Sequence, residues 1–189
     1  LKSLADEKML FITHSLGSKI FIDSFSREME RIKQAENAPQ PHLRALARKV
    51  REKDLAVFMM ANQLPLLQLW NEKAPVNNQI KEYCRQGGAK AQSRFLKHLN
   101  IVAFNDPNDL LTYALEPDFI NNYIDSRLCP RATNISVNVS GSVSALVLEI
   151  GNPIAAHIDY DKDPKVIKII SGGTGVISKN DPPLCRMIY

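Results

Sequence analysis

The sequence predicts an α/β fold: a parallel sheet with helices on both faces. Three observations carry this. Short runs at 8–13 ("KMLFIT"), 54–62 ("DLAVFMMAN") and 99–106 ("LNIVAFND") are apolar throughout, without the two-residue alternation of a half-solvated strand. The segments between them are longer and carry helical spacing. Turn-forming residues separate the two kinds of segment.

The elements follow in order. "KMLFIT" is read as a buried strand. "SLGSKIFIDSFSREMERIKQ" is read as a helix, with Ile20, Phe21, Ser24, Phe25 and Met29 near one face. The prolines of "AENAPQPH" (35–42) mark a loop, and "LRALARKVREK" follows as a short basic helix. "DLAVFMMAN" is the second strand, and Pro65 sits in the first turn of the helix after it. Residues 74–98 are polar and helical in part, broken at Gly87-Gly88. "LNIVAFND" is the third strand and runs into the turn "NDPND"; "ISVNVSG" (135–141) is the fourth. A long loop carries "IGNPIAAHIDYDKD". The last helix, "PKVIKIIS", stops at Gly172-Gly173. Residues 1–175 form the domain in this reading, and 176–189 a C-terminal tail.

Composition bounds the function. The 189 residues are enough for one domain with a core; 44% are hydrophobic and 23% charged, as in ordinary globular proteins. The net charge of +4 is mild, and its Lys and Arg are not interleaved with aromatics, so a nucleic-acid partner is not expected. No apolar run of about 18 residues suggests stable membrane insertion. Cys84, Cys129 and Cys185 are widely spaced and form no CxxC. They are read as reduced thiols, which favours a cytoplasmic setting, with no metal site. Two Asn-x-Ser sequons, at Asn134 and Asn138, fall in what reads as strand.

In parallel sheets, functional groups gather on loops at the carboxyl ends of the strands. Ser15 follows the first strand and opens the first long helix. A serine hydroxyl needs a base to act as a nucleophile. It also needs a tight strand-to-helix turn with small residues two places away, here Thr13 and Gly17. The Leu16 N–H would then face a developing oxyanion. Ser15 as a plain helix cap is the bland alternative. Of four histidines, His157 alone lies on a loop between the last strand and the last helix. His14 adjoins Ser15, and its side chain is expected to point elsewhere, because neighbours at a strand end alternate sides. Asp106 and Asp109 both follow the third strand, and either can orient a histidine ring. Asn62 and Gln63 end the second strand on the same rim. Asn152 and Tyr160 flank His157. These residues, with Asp106 and His14, form the candidate pocket.

The order Ser15, Asp106 or Asp109, His157 leads to a resemblance. "THSLGS" resembles the nucleophile elbow of the α/β-hydrolase superfamily, in the "HSLG" form of lipases and serine esterases. "VAFNDPNDLL" resembles its acid turn, and "NPIAAHIDY" its histidine loop. The likeness covers about 8–172 and is to members of the type found in fungal and bacterial genomes. It implies the C-terminal half of that fold, the elbow strand plus about three further strands, with no cofactor. It favours Asp109 as the acid, since Leu110-Leu111 resemble the apolar pair that re-enters the core in that superfamily. Thr13 departs from the first glycine of the elbow. The strands that precede the elbow in that superfamily, and a loop giving a second oxyanion N–H, have no counterpart in the few residues before "KMLFIT".

The resemblance implies serine-dependent hydrolysis of a small acyl ester by Ser15, His157 and Asp109. A non-catalytic binding scaffold is the alternative from another class. An acyltransferase using the same three residues is a weaker one.

Overall fold

The computed structural model describes residues 2–7, 9–68, 72–139, 153–173 and 186–187. Among them, four parallel strands lie side by side in chain order: β1 (Leu10–His14), β2 (Asp54–Met60), β3 (His98–Asn105) and β4 (Pro130–Ser136). A two-residue strand, β5 (Arg186–Met187), extends the sheet beside β4, so the segment read as a tail contributes to it. The helices are α1 (Lys2–Asp6), α2 (Gly17–Gln34), α3 (Pro41–Arg51), α4 (Leu64–Gln68), α5 (Ile80–Cys84), α6 (Pro117–Tyr123), α7 (Pro153–Ile158) and α8 (Pro164–Gly172). The chain is thus an α/β protein with an all-parallel sheet.

The apolar runs explain the two-sided burial. Along β2, Leu55, Val57 and Met59 join one buried cluster, and Ala56, Phe58 and Met60 join another. Odd positions therefore face one layer and even positions the other. The first layer is built from α2, α3 and α6 through Ile22, Phe25, Met29, Val50 and Ile120. The second is thinner, with Tyr160, Val166 and Ile169 packed over Phe58, Val102, Phe104 and Ile135. Helices cover both faces.

Several expectations shift. The buried stripe of α2 is Ser18, Ile22, Phe25, Met29 and Ile32, at alternating four- and three-residue steps. Ile20 is 57% exposed and Ser24 points outward, so the stripe expected from Ile20 and Ser24 is rotated. β4 begins at Pro130 rather than 135. α1 and α6 have no counterpart in the sequence reading. β1 is an edge strand among the described residues, and Leu10 and Ile12 are 42% and 51% exposed rather than buried. None of the described helices is long and apolar enough to cross a membrane.

The cysteines also depart from expectation. Cys84, ending α5, and Cys129, just before β4, are joined in a disulfide, with Cα atoms 5.3 Å apart. The bridge ties the irregular 74–98 region to the sheet; these two cysteines are not the reduced thiols expected and do not favour a cytoplasmic setting, while Cys185 lies outside the described residues. It closes a separation of 45 residues. Loops of that size lose enough unfolded-state entropy for the bond to contribute about 2–4 kcal/mol. A Cys84→Ser/Cys129→Ser variant should therefore show a lower urea midpoint than the parent, and dithiothreitol should reproduce the shift. A midpoint indifferent to both would refute the contribution.

The amino-terminal rim of the sheet carries its own titration. The His98 Nδ1 lies 2.6 Å from Asp54 Oδ1. Burial, with the charges of Arg131 and Lys97, pushes the ring below its ordinary value, outweighing the opposing pull of Asp54. Asp54 is itself held low: burial acts upward, but the hydrogen bond and charge of His98, with Lys97, prevail. The two directions favour opposite charge states of the ring. Burial decides, and the contact is a neutral ring N–H donating to a carboxylate at pH 7. The unfolded chain then binds more protons than the folded one once the pH drops below about 6.5. Stability from His98 is therefore full above that value and is lost as the pH falls through the folded-state pKa. Between pH 7.5 and 5.5, the urea midpoint of the parent should fall further than that of His98→Asn; equal falls would refute the assignment.

Candidate active site

The carboxyl ends of β1 and β2 each finish in a left-handed residue, Ser15 at φ 54° and Ala61 at φ 48°. That conformation is uncommon outside glycine and turns the chain sharply. At Ser15 it ends β1 and starts α2 within two residues. The Ser15 N–H donates to Met60 O at 2.9 Å, so the turn is fixed to β2. Thr13 Oγ1 lies 3.2 Å from Ser18 Oγ. A Cβ placed on Gly17 would meet Thr13 Cβ at 3.6 Å, an ordinary contact. Threonine is thus accommodated where the elbow pattern has glycine, because its hydroxyl has a partner on α2.

His157 lies in α7, near its end, not on an open loop. Its Nε2 is 3.0 Å from Ser15 Oγ, and its Nδ1 is 2.8 Å from Asp109 Oδ2. An ionised carboxylate only accepts, so the network assigns the hydrogen to Nδ1 and leaves the Nε2 lone pair facing the serine hydroxyl. The Asp109 side chain is almost wholly buried and that of His157 largely so. The second Asp109 oxygen accepts from Leu111 N at 3.0 Å. Leu16 opens α2, where first-turn N–H groups lack intrahelical acceptors.

The two aspartates divide the turn between them. Asp106 is also buried, but its carboxylate accepts from Asn108 N, Asn108 Nδ2 and Val139 N. Its own N–H donates to Tyr160 Oη at 2.7 Å. Asp106 builds the loop that Asp109 uses. Tyr160 is fully buried, and its hydroxyl is pushed well up, first by burial and then by the charge of Asp109. It therefore stays protonated and packs beneath the site rather than titrating in it.

The remaining pocket candidates separate. Asn62 is buried and used internally: Nδ2 donates to Tyr113 O and Oδ1 accepts from Leu64 N. Gln63 is buried at the start of α4. Asn152 lies outside the described residues. His14 does not point away. Its Nε2 is 2.9 Å from the backbone oxygen of His157.

Sequence reasoning missed the apolar surroundings. Leu110 and Leu111 do not re-enter the core; they are 74% and 46% exposed beside Asp109. Leu16 is exposed next to Ser15, and Ile154 and Ile158 are exposed on the helix that carries His157. The signal was present as leucines and isoleucines within a few residues of each polar group, but apolar residues there read equally well as core. A cavity of about 630 Å³ lined by Ala5, Ala45, Arg48, Lys49, Glu52 and Lys53 lies between α1 and α3. It sits toward the opposite rim of the sheet and has no part in this arrangement. Among the described residues, no group of three or more His, Cys, Asp or Glu is placed to hold a metal ion.

No family model matches the chain, and no curated protein and no solved structure matches it.

Proposed function

We propose that the protein is a serine hydrolase of the α/β-hydrolase type, acting on a carboxylic ester through Ser15, His157 and Asp109. The observation that carries this reading is the hydrogen-bonded chain from Ser15 Oγ through His157 to Asp109 Oδ2. The left-handed Ser15 at the mouth of α2 supports it, as does the succession of three parallel strands after the elbow strand.

The steps follow from the atoms. His157 Nε2 accepts the proton of Ser15 Oγ as the oxygen attacks the ester carbonyl carbon. The carbonyl oxygen becomes an oxyanion, which the Leu16 N–H at the positive end of α2 stabilises. Asp109 accepts from Nδ1–H throughout and offsets the imidazolium charge. The imidazolium then protonates the departing alkoxide, leaving an acyl group on Ser15. A water then gives its proton to the same nitrogen and attacks the acyl carbon; the Ser15 Oγ–acyl bond breaks, the carboxylic acid leaves, and the imidazolium returns its proton to Ser15 Oγ. The exposed Leu16, Leu110, Leu111 and Ile154 suit a neutral, apolar acyl group better than a charged one.

The test is covalent capture. The folded protein is incubated with an alkyl fluorophosphonate and digested, and the modified peptide is identified by mass spectrometry. Modification at Ser15 is expected. A folded protein that leaves the probe untouched would favour a non-catalytic scaffold instead.

A further inference from the structure

We propose that His14 is a positioning residue that holds the base over the nucleophile by donating from its ring to the backbone of His157. The inference rests on the hydrolase reading for its kinetic consequence, but its geometry stands apart from that reading.

His14 is the last residue of β1 and pairs with Met60 of β2. The next residue is Ser15, whose N–H is bonded to the same Met60. The backbone beneath His14 is therefore as firmly placed as that of the nucleophile. From there its Nε2 reaches His157 O at 2.9 Å. A carbonyl oxygen only accepts, so Nε2 carries the hydrogen and, in the neutral ring, Nδ1 holds the lone pair. The His14 ring also stands edge-on to that of His157, with centroids 5.5 Å apart and planes at 64°. It meets the Tyr160 ring at 6.4 Å in the same manner.

The recipient needs such a tie. α7 has six residues, fewer than two turns, and helices this short do not persist on local propensity. His157 O lies in the last turn of the helix, where the carbonyls lack intrahelical donors. The His14 bond satisfies one of these carbonyls. It also links the helix that bears the base to the strand that bears the nucleophile, one residue from the nucleophile itself. His157 is then fixed at two points: its ring by Asp109 and Ser15, its backbone by His14. A reacting group displaced by about 1 Å loses on the order of a hundredfold in rate. Releasing the backbone point allows displacements of that kind.

Two substitutions separate donation from packing. His14→Phe keeps an aromatic ring against His157 and Tyr160 but removes the donor. His14→Gln removes the ring but keeps an N–H near the Nε2 position. Donation predicts that kcat for p-nitrophenyl butyrate falls about tenfold or more in His14→Phe, with KM within a factor of about two. It predicts that His14→Gln stays within about threefold of the parent. The reverse order, equal losses in both, or no loss in either would overturn the proposal. Nitrogen-15 spectra of the parent protein supply a readout that needs no turnover. They should show His14 as the Nε2–H tautomer, and the His157 Nδ1–H resonance should broaden or move in His14→Phe and persist in His14→Gln. An Nδ1–H tautomer at His14 would overturn the proposal even if both variants unfold. A parent that is inactive and unlabelled at Ser15 would refute the hydrolase reading alone, leaving His14 to be judged on the spectra.

Discussion

Replacing Ser15 with alanine should abolish fluorophosphonate capture and lower kcat/KM for p-nitrophenyl esters by about 10⁴- to 10⁶-fold, the loss typical when such a nucleophile is removed. The expectation follows from the 3.0 Å contact between Ser15 Oγ and His157 Nε2. Among the described residues, no other hydroxyl hydrogen-bonds to that nitrogen. The fold should survive, because Ser15 is only half-buried and its structural tie runs through its backbone N–H to Met60. Activity in the variant above about a hundredth of the parent's would mean that Ser15 is not the nucleophile.

The second large effect separates the two aspartates. Asp109→Asn should lower kcat by about 10⁴-fold with little change in stability. An amide can turn its N–H toward Nδ1, which forces the ring into the tautomer that cannot accept from Ser15. Asp106→Asn should do the opposite. Its two oxygens accept three hydrogen bonds, from Asn108 and Val139, and an amide nitrogen facing one of those N–H groups leaves it unpaired. That costs about 1–3 kcal/mol of stability, while the folded fraction keeps its activity within about tenfold. Urea midpoints and turnover measured on both variants decide the matter. If Asp106→Asn is the inactive one and Asp109→Asn the unstable one, the roles are exchanged.

These assignments were legible to different depths in the sequence. Runs such as "VFMM" and "IVAF" announce strands buried on both faces, since only a parallel sheet between helix layers needs apolar side chains at every position. Ser15, the acid turn and His157 could be ordered because each follows a strand. What stayed hidden depends on tertiary context. Whether Ile20 or Ile22 faces the core is a question of helix phase, and two isoleucines two places apart give the pattern no means to choose. β4 starts in "PRATN", whose polarity masks a strand that is held by pairing with β3. α6 is a single short helix without a sustained period. Cys84 and Cys129 meet because α5 docks beside the start of β4, which no spacing rule foretells. His14 was expected to turn away, but its ring reaches a backbone atom brought in from residue 157, and side-chain alternation along a strand does not anticipate a partner from so far along the chain.

The left-handed turn at residue 15 has a consequence for how the sequence can drift. An L-residue held there costs roughly 1–2 kcal/mol, and glycine escapes that cost while giving back about 0.5–1 kcal/mol in chain entropy. A Ser15→Gly chain should therefore fold as well as the parent or better, by up to about 1.5 kcal/mol, while having no hydroxyl to offer. Folding and the proposed chemistry would pull this one position in opposite directions. A library randomised at residue 15 and sorted for folded protein alone should enrich glycine; the same library sorted for capture of a fluorophosphonate should return serine.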